Sequence, residues 1–401
     1  MLLYWIWFAQ LNKVPAGLKQ TLLQQFSDPE EIYHSERKSF ASVDGMTEEA
    51  LLALEEKDLT PAQSILEECK QKGIGILTLQ DTAYPSLLRN TFDPPMVLYY
   101  KGKLPDWQAQ PVIGIVGTRK ASTYGMSTAA RFGKQIAACG ALVVSGGATG
   151  IDTMAMKGAI EAEKPVVGVL GCGVDVVYPS QNRQLFAQVT EAGCLLSEYP
   201  PRTKGLSWHF PRRNRIITGV SNGLLVVEAP EKSGALISAR HALEQGREVF
   251  AVPGNVDVPN CAGSNALLQD RAMPALSGWD VVKEYAPFWP EKVRKVTAEY
   301  AGKPANMVAQ RPVPLATALA DADKKGIDKE EKPTYSVLNS ERPALSEAEQ
   351  AVLAQIGREP APVDEVIART QLSASAAKGI LTRLTIKGFT VNHPGGRVSL
   401  K

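Results

Sequence analysis

The run Phe210-Pro-Arg-Arg-Asn-Arg-Ile-Ile-Thr-Gly-Val-Ser221 sets three arginines and an asparagine at the start of a predicted helix, directly after a loop. Guanidinium forks and the free amides of a helix N-terminus suit phosphate. Arg212, Arg213, Asn214 and Arg215 are therefore candidate phosphate ligands. Ion pairing on a solvated helix face is the competing reading of the same four residues.

Four further stretches carry the chemistry that tips the balance. In Gly117-Thr-Arg-Lys-Ala-Ser-Thr-Tyr-Gly125, Gly117 lets the backbone approach a ligand and Arg119 supplies a bidentate fork. In Ser145-Gly-Gly-Ala-Thr-Gly-Ile-Asp152, Gly146 and Gly147 free the chain to form an amide nest at a helix start. Gly171-Cys-Gly-Val-Asp-Val-Val-Tyr-Pro179 is the third stretch. The fourth, Glu228 to Arg240, brings Ser233 and Gly234 to another helix start. One Gly-rich loop is explained by turn chemistry alone. Four on one edge, joined by the arginine run, suit a polyanion better than a single nucleotide.

Other chemistries find less support. The Gly117 turn lacks the remaining glycines of a dinucleotide fingerprint, and no Gly-x-x-x-x-Gly-Lys-Ser/Thr loop occurs. His34, His209, His241 and His393 form no metal-ligand pattern, so neither a cofactor nor a metal is expected. Cys172 between two glycines has no evident base and reads as a structural thiol. Asp152 and Glu198 are possible acid–base groups, although capping a helix or orienting an arginine is the commoner use.

These loops need a frame. Apolar β-rich runs at Val112–Val116, Ala141–Ser145, Val166–Leu170, Cys194–Ser197, Leu224–Val227 and Glu248–Val252 alternate with segments of helical period, such as Met126–Ala138 and Arg183–Ala192. That alternation predicts an α/β fold, a Rossmann-like, doubly wound and mostly parallel sheet over residues 76–288. Ligands then bind beyond the carboxyl ends of the strands, where the glycine loops fall. Residues 1–75 read as a helical module of helix-hairpin-helix or SAM type, with apolar-Gly-apolar turns at Val14–Leu18 and Val43–Met46. Asp44, Glu48 and Glu49 crowd the second turn, which favours packing over anion binding. Residues 289–342 lose the period, carry mixed charge and read as a flexible linker. Residues 343–401 read as three helices and a Gly-turned hairpin, a winged helix-turn-helix in which Ile380, Leu381 and Leu384 are buried while Lys378, Thr382 and Lys387 face outward.

The bulk numbers set the scale. The chain has 401 residues, 44% of them hydrophobic, and a net charge of +2, so any basic site must be local. Five scattered cysteines suggest reduced thiols in the cytoplasm. The apolar start is too short to span a bilayer, and no membrane partner is expected.

The ordered motifs resemble the DNA-processing protein A (DprA, or Smf) family. They are Gly117-Thr-Arg, the Ser145–Asp152 loop, the Gly171–Pro179 loop with Asn182, Ser197-Glu-Tyr-Pro-Pro201, Phe210-Pro-x-Arg-Asn-Arg-Ile-Ile217, Ser233-Gly-Ala-Leu-Ile237, Val252-Pro-Gly254 and Gly263-Ser-Asn265. The resemblance implies a non-hydrolytic protein that binds single-stranded DNA during natural transformation. It also implies protection of the incoming strand, displacement of single-strand-binding protein, loading of a RecA-type recombinase, and work as a homodimer. Carried over by position, Arg119, Gly146, Gly147, Phe210, Arg213 and Asn214 contact the strand, joined by Lys204 from the preceding loop, with Phe210 offering a face to a base. This chain departs from the family pattern at Met154-Ala-Met-Lys157, where members carry a histidine, and at Arg271 before Ala272. The competing classes are a nucleotide N-glycoside hydrolase of the lysine-decarboxylase-like group and a transcription regulator led by the winged helix. The hydrolase requires a glutamate that Ser233–Arg240 lacks.

Overall fold

Each apolar run read from the sequence becomes a strand, and three further strands join them. The computed structural model describes residues 1–40, 42–296, 347–357, 359, 361–370, 377, 380, 381, 384, 389–393 and 397–400. The strands are β1 (Gly75–Thr78), β2 (Val97–Gly102), β3 (Val112–Val116), β4 (Leu142–Ser145), β5 (Val166–Val169), β6 (Cys194–Ser197), β7 (Gly223–Val226), β8 (Glu248–Ala251) and β9 (Met273–Pro274). They form one sheet in the order β1-β2-β6-β5-β4-β3-β7-β8-β9. Pairing from β6 through β9 is parallel, and β1 and β2 add an antiparallel edge.

Strand side chains alternate between faces, and both faces are buried. Ile113 and Ile115 enter one apolar cluster, Val112 and Val116 the other. The first face is covered by α8 (Thr123–Ala138), α9 (Ile151–Glu161) and α10 (Arg183–Ala192), through residues such as Phe132, Met156 and Phe186. The second is covered by α7 (Ser86–Arg89), α11 (His209–Gly219) and α12 (Gly234–Glu244), through Leu88, Ile216, Ile217 and Ala239.

The helices of residues 1–75, expected as a module of their own, share the first core. They are α1 (Leu2–Gln10), α2 (Ala16–Gln25), α3 (Pro29–His34), α4 (Arg37–Phe40), α5 (Glu48–Glu55) and α6 (Thr60–Lys72). Trp5, Ile6 and Phe8 are buried in the same cluster as Val97 and Tyr99 of the sheet. The chain to Met307 accordingly forms one compact unit, and Val308–Lys401 a second. Gly17, expected in a hairpin turn, lies inside α2, whereas Gly45 does sit in a turn at φ +78°. Val14 and Val43 are buried, as packing requires.

Residues 289–296 were expected in the linker and instead pack on the first unit. Trp289 Nε1 donates to the Gln108 carbonyl at 2.8 Å, Val293 is buried, and the Arg294 amide donates to Cys139. The rest of the expected linker lies outside the described residues, as do Lys378, Thr382 and Lys387. In the second unit, helices Glu347–Leu353 and Val363–Ala368 accompany a three-stranded sheet with Arg397–Leu400 at its centre. Ile380, Leu381 and Leu384 are buried there with Val352, Val366 and Val398.

Candidate nucleic-acid interface

The sheet changes winding direction between β3 and β7. From β3 the chain steps outward to β4, β5 and β6, then returns along α11 to lay β7 on the other side of β3. The loops after β3 and β7 therefore part, and a crevice opens between them. A cavity of about 330 Å³ fills it, walled by Gly117–Lys120, by Phe210, Arg213 and Asn214 of α11, and by Lys232–Ala235. A second cavity of about 470 Å³ adjoins it, lined by Arg119, Gly146–Thr149 and Val177–Gln181. Phe210 and Arg119 belong to both.

The two cavities meet at a pillar. The Arg119 guanidinium stands 4.9 Å from the Phe210 ring centroid, and the Tyr178 ring is 5.2 Å from it at a 32° tilt. Gly171 makes room for that ring, since a Cβ there would come within 2.9 Å of Phe210 Cδ1. Phe210 is consequently buried and is not the open platform expected from the sequence, whereas Tyr178 is 45% exposed at the second cavity's rim.

The arginine run does not act at a single point. Helical residues advance about 100° each, so Arg212 and Arg215 share one face of α11, and Arg213 turns away from it. Arg215 Nε lies 3.0 Å from the half-buried Asp93 and its Nη2 2.7 Å from Glu198, which is largely out of solvent. Arg212 Nε is 3.9 Å from Glu198. The structure thus removes Arg215 from the expected phosphate ligands: two distant carboxylates hold it as a buried ion pair. Glu198 does orient an arginine, as its commoner use suggests.

Arg213 faces the crevice, but only 3% of it is exposed. Its guanidinium donates to the carbonyls of Gly146 and Val169, fixing the glycine loop to the end of β5. Burial lowers its pKa to about 10, which leaves it charged at neutral pH. Asp152 belongs to the same knot. A Cβ on Gly146 would come within 2.5 Å of Asp152 Oδ2 and 2.6 Å of Arg213 Nη2, so carboxylate and guanidinium converge on this glycine. Asp152 Oδ2 accepts from the Ala148 amide at 3.3 Å, so the protein's own carboxylate occupies part of the nest expected to hold phosphate. Burial pushes the Asp152 carboxyl up to about 6, with Arg213 and the loop amides offsetting part of that rise. Gly147, at φ +65°, needs the freedom of glycine, and its carbonyl accepts from Asn182 Nδ2 at 2.9 Å.

What remains open to a ligand is a rim of cations. Arg119 and Lys120 on one side and Lys232 on the other are exposed along the first cavity. None of them has an ion-pair partner among the described residues. Ser233 caps α12 by accepting from the Ala235 amide at 3.2 Å, and Gly234 presents that helix start with open space around it. Asn214 Nδ2 ties α11 to the Gly234 carbonyl at 3.2 Å.

The sequence profile of the family described as DNA recombination-mediator protein A matches residues 75–286, and that of the DprA winged helix domain matches residues 338–396. Protein Smf of Synechocystis sp. is 33% identical over 98% of this chain and 97% of its own length. The DNA processing protein DprA of Bacillus subtilis is 42% identical over 55% of this chain and 74% of its own. This chain belongs to the DNA recombination-mediator protein A family. The crystal structure of DNA processing protein A from Streptococcus pneumoniae superposes with a TM-score of 0.63 at 30% identity, covering 71% of this chain and 98% of that one.

Among the residues singled out from the sequence, Gly117, Arg119, Phe210, Arg213, Asn214, Ser233 and Gly234 line the first cavity, and Gly146 and Gly147 line the second. Arg212 and Arg215 look toward Glu198 and Asp93 instead, and exposed Lys204 lines neither cavity. Lys120, Lys232 and Tyr178 were not singled out. Each sits within a stretch that was, beside Arg119, before Ser233 and at the end of the Gly171–Pro179 loop respectively. Cys172 is buried, with a thiol pushed up to about 11 by that burial, as a structural thiol should be.

Proposed function

We propose that this protein binds single-stranded DNA across the two cavities, without chemical change to the strand. Arg119, Lys120 and Lys232 hold phosphates along the first cavity, exposed Lys204 meets a further one outside the two cavities, the start of α12 adds oriented amides, and Tyr178 takes a base. The observation that carries this reading is the rim of unpaired cations beside an exposed aromatic, split by the Phe210–Arg119 pillar. Basic grooves with stacking platforms are how proteins hold single strands with little regard to sequence. Asp152 is the carboxylate lining the first cavity, and it is engaged by the glycine loop rather than free for acid–base work. Glu228 is fully buried against the Ser122 amide and does not line it. Both features favour a binding protein over a nucleotide N-glycoside hydrolase.

In the cell we place it in the cytoplasm as a homodimer that protects incoming strands, displaces single-strand-binding protein and loads a RecA-type recombinase. No helix among the described residues is long and apolar enough to cross a membrane. A gel shift with single-stranded and duplex oligonucleotides at two salt concentrations tests the binding reading. Tighter, salt-sensitive retention of the single strand is expected. Preference for duplex, or release of free base from nucleoside monophosphates, would refute it.

A further inference from the structure

Helix α6 ends about a hundred residues before the Gly171–Pro179 loop, yet its last turn grips that loop. Lys72 Nζ lies 2.5 Å from Asp175 Oδ2 and 2.5 Å from Glu68 Oε1, and Glu68 also pairs with Arg202. The Arg202 amide donates to Asp175 Oδ1 at 2.9 Å, and the Gly173 amide donates to the Thr203 carbonyl at 2.9 Å. Four charged groups thereby join α6, the loop carrying Tyr178 and the loop carrying Lys204. The acidic side chains are only 14% and 11% exposed and Lys72 35%, so solvent screens the two Lys72 pairs less than ordinary surface ones, while Arg202 is exposed. Arg202 itself is held at φ +63°, a conformation that persists in a non-glycine residue only where its surroundings impose it. Although burial pushes the Asp175 carboxyl up, Lys72 and the Arg202 amide outweigh it and hold the group below its ordinary value.

We propose that this cluster is a clamp through which the N-terminal helices set the position of Tyr178 for base stacking. Asp175 and Lys72 are then positioning residues for strand binding. The inference rests on the single-strand reading above. It also gives the helices of residues 1–75 a part in binding that needs no contact with DNA.

Charge and position make opposite predictions for Asp175→Asn. Removing a negative charge beside a polyanion site should tighten binding by electrostatics alone. The clamp instead predicts binding to an oligo-dT strand weaker by about fivefold or more, the lower end of what stacking one base contributes. Tyr178→Ala supplies a second readout, because its cost should shrink to less than about twofold once Asp175→Asn is present, as coupled sites require. Lys72→Arg should keep wild-type affinity. If Asp175→Asn has melted at the assay temperature, Lys72→Met replaces it in the same cycle. Unchanged or tighter binding by Asp175→Asn, or a Tyr178→Ala cost equal in both backgrounds, overturns the clamp. An Arg119→Ala variant that binds as tightly as wild type overturns the strand-binding reading instead.

Discussion

The salt dependence of strand binding should follow the cations that the fold leaves unpaired. Arg119, Lys120, Lys204 and Lys232 are exposed, and no carboxylate lies within ion-pairing distance of them among the described residues. Each phosphate neutralised on a single strand contributes about −0.7 to the slope of log affinity against log salt, so four give about −3. Raising salt from 50 to 200 mM should then cost roughly fifty-fold in affinity. If Arg212, Arg213 and Arg215 also met phosphates, the slope would approach about −5. Fluorescence anisotropy of a labelled oligo-dT across a salt series measures it. Lys232→Ala should flatten the slope by about 0.7, and Arg215→Met should leave it unchanged. A slope near −5 that falls on replacing Arg215 would refute the division of α11 into a binding face and a structural face.

Arg215→Met should instead lower stability by about 1–3 kcal/mol, because it leaves Glu198, 10% exposed, and the part-exposed Asp93 without their guanidinium; urea denaturation measures this. Strand affinity should rise as pH falls from 8 toward 5.5. Burial holds the Asp152 carboxyl at about 6, and its protonation removes a negative charge from the cavity wall. Asp152→Asn should flatten that pH profile. Tyr178→Ala should weaken single-strand binding by about 1–3 kcal/mol, and because the ring is half-exposed it should lower the melting temperature less than Phe210→Ala does. Phe210→Ala should cost about 3–5 kcal/mol of stability, since the ring is packed between Arg119, Tyr178 and Gly171.

The central sheet was legible because its strands are continuous apolar runs, buried on both faces and bounded by glycine turns. Strands β1 and β2 were not, because they form an antiparallel edge in which five of ten residues are only partly buried or exposed, so neither reads as a continuous apolar run. Gly-Thr-Arg and the Ser145 loop announced a crevice correctly, since close backbone approach and left-handed turns demand glycine. The division of labour along α11 was hidden. Arg215 is fixed by Asp93, which lies 122 residues away and reaches it only after folding. The glycine loop misled for a related reason. Its spacing shows that amides converge there but not that Asp152, at the following helix start, already accepts from them. The core shared by the first six helices and the sheet was likewise invisible, because amphipathic helices do not declare their partner.

Photocrosslinking locates the strand most directly. An oligo-dT carrying one 5-iodouracil should, on irradiation with the full-length protein, crosslink to Tyr178, with mass spectrometry recovering the peptide that contains it. Arg119→Ala should abolish that crosslink while leaving the fold intact. Crosslinks confined to the second unit, or a Tyr178 adduct that persists at full yield without Arg119, would contradict the placement of the strand across the two cavities.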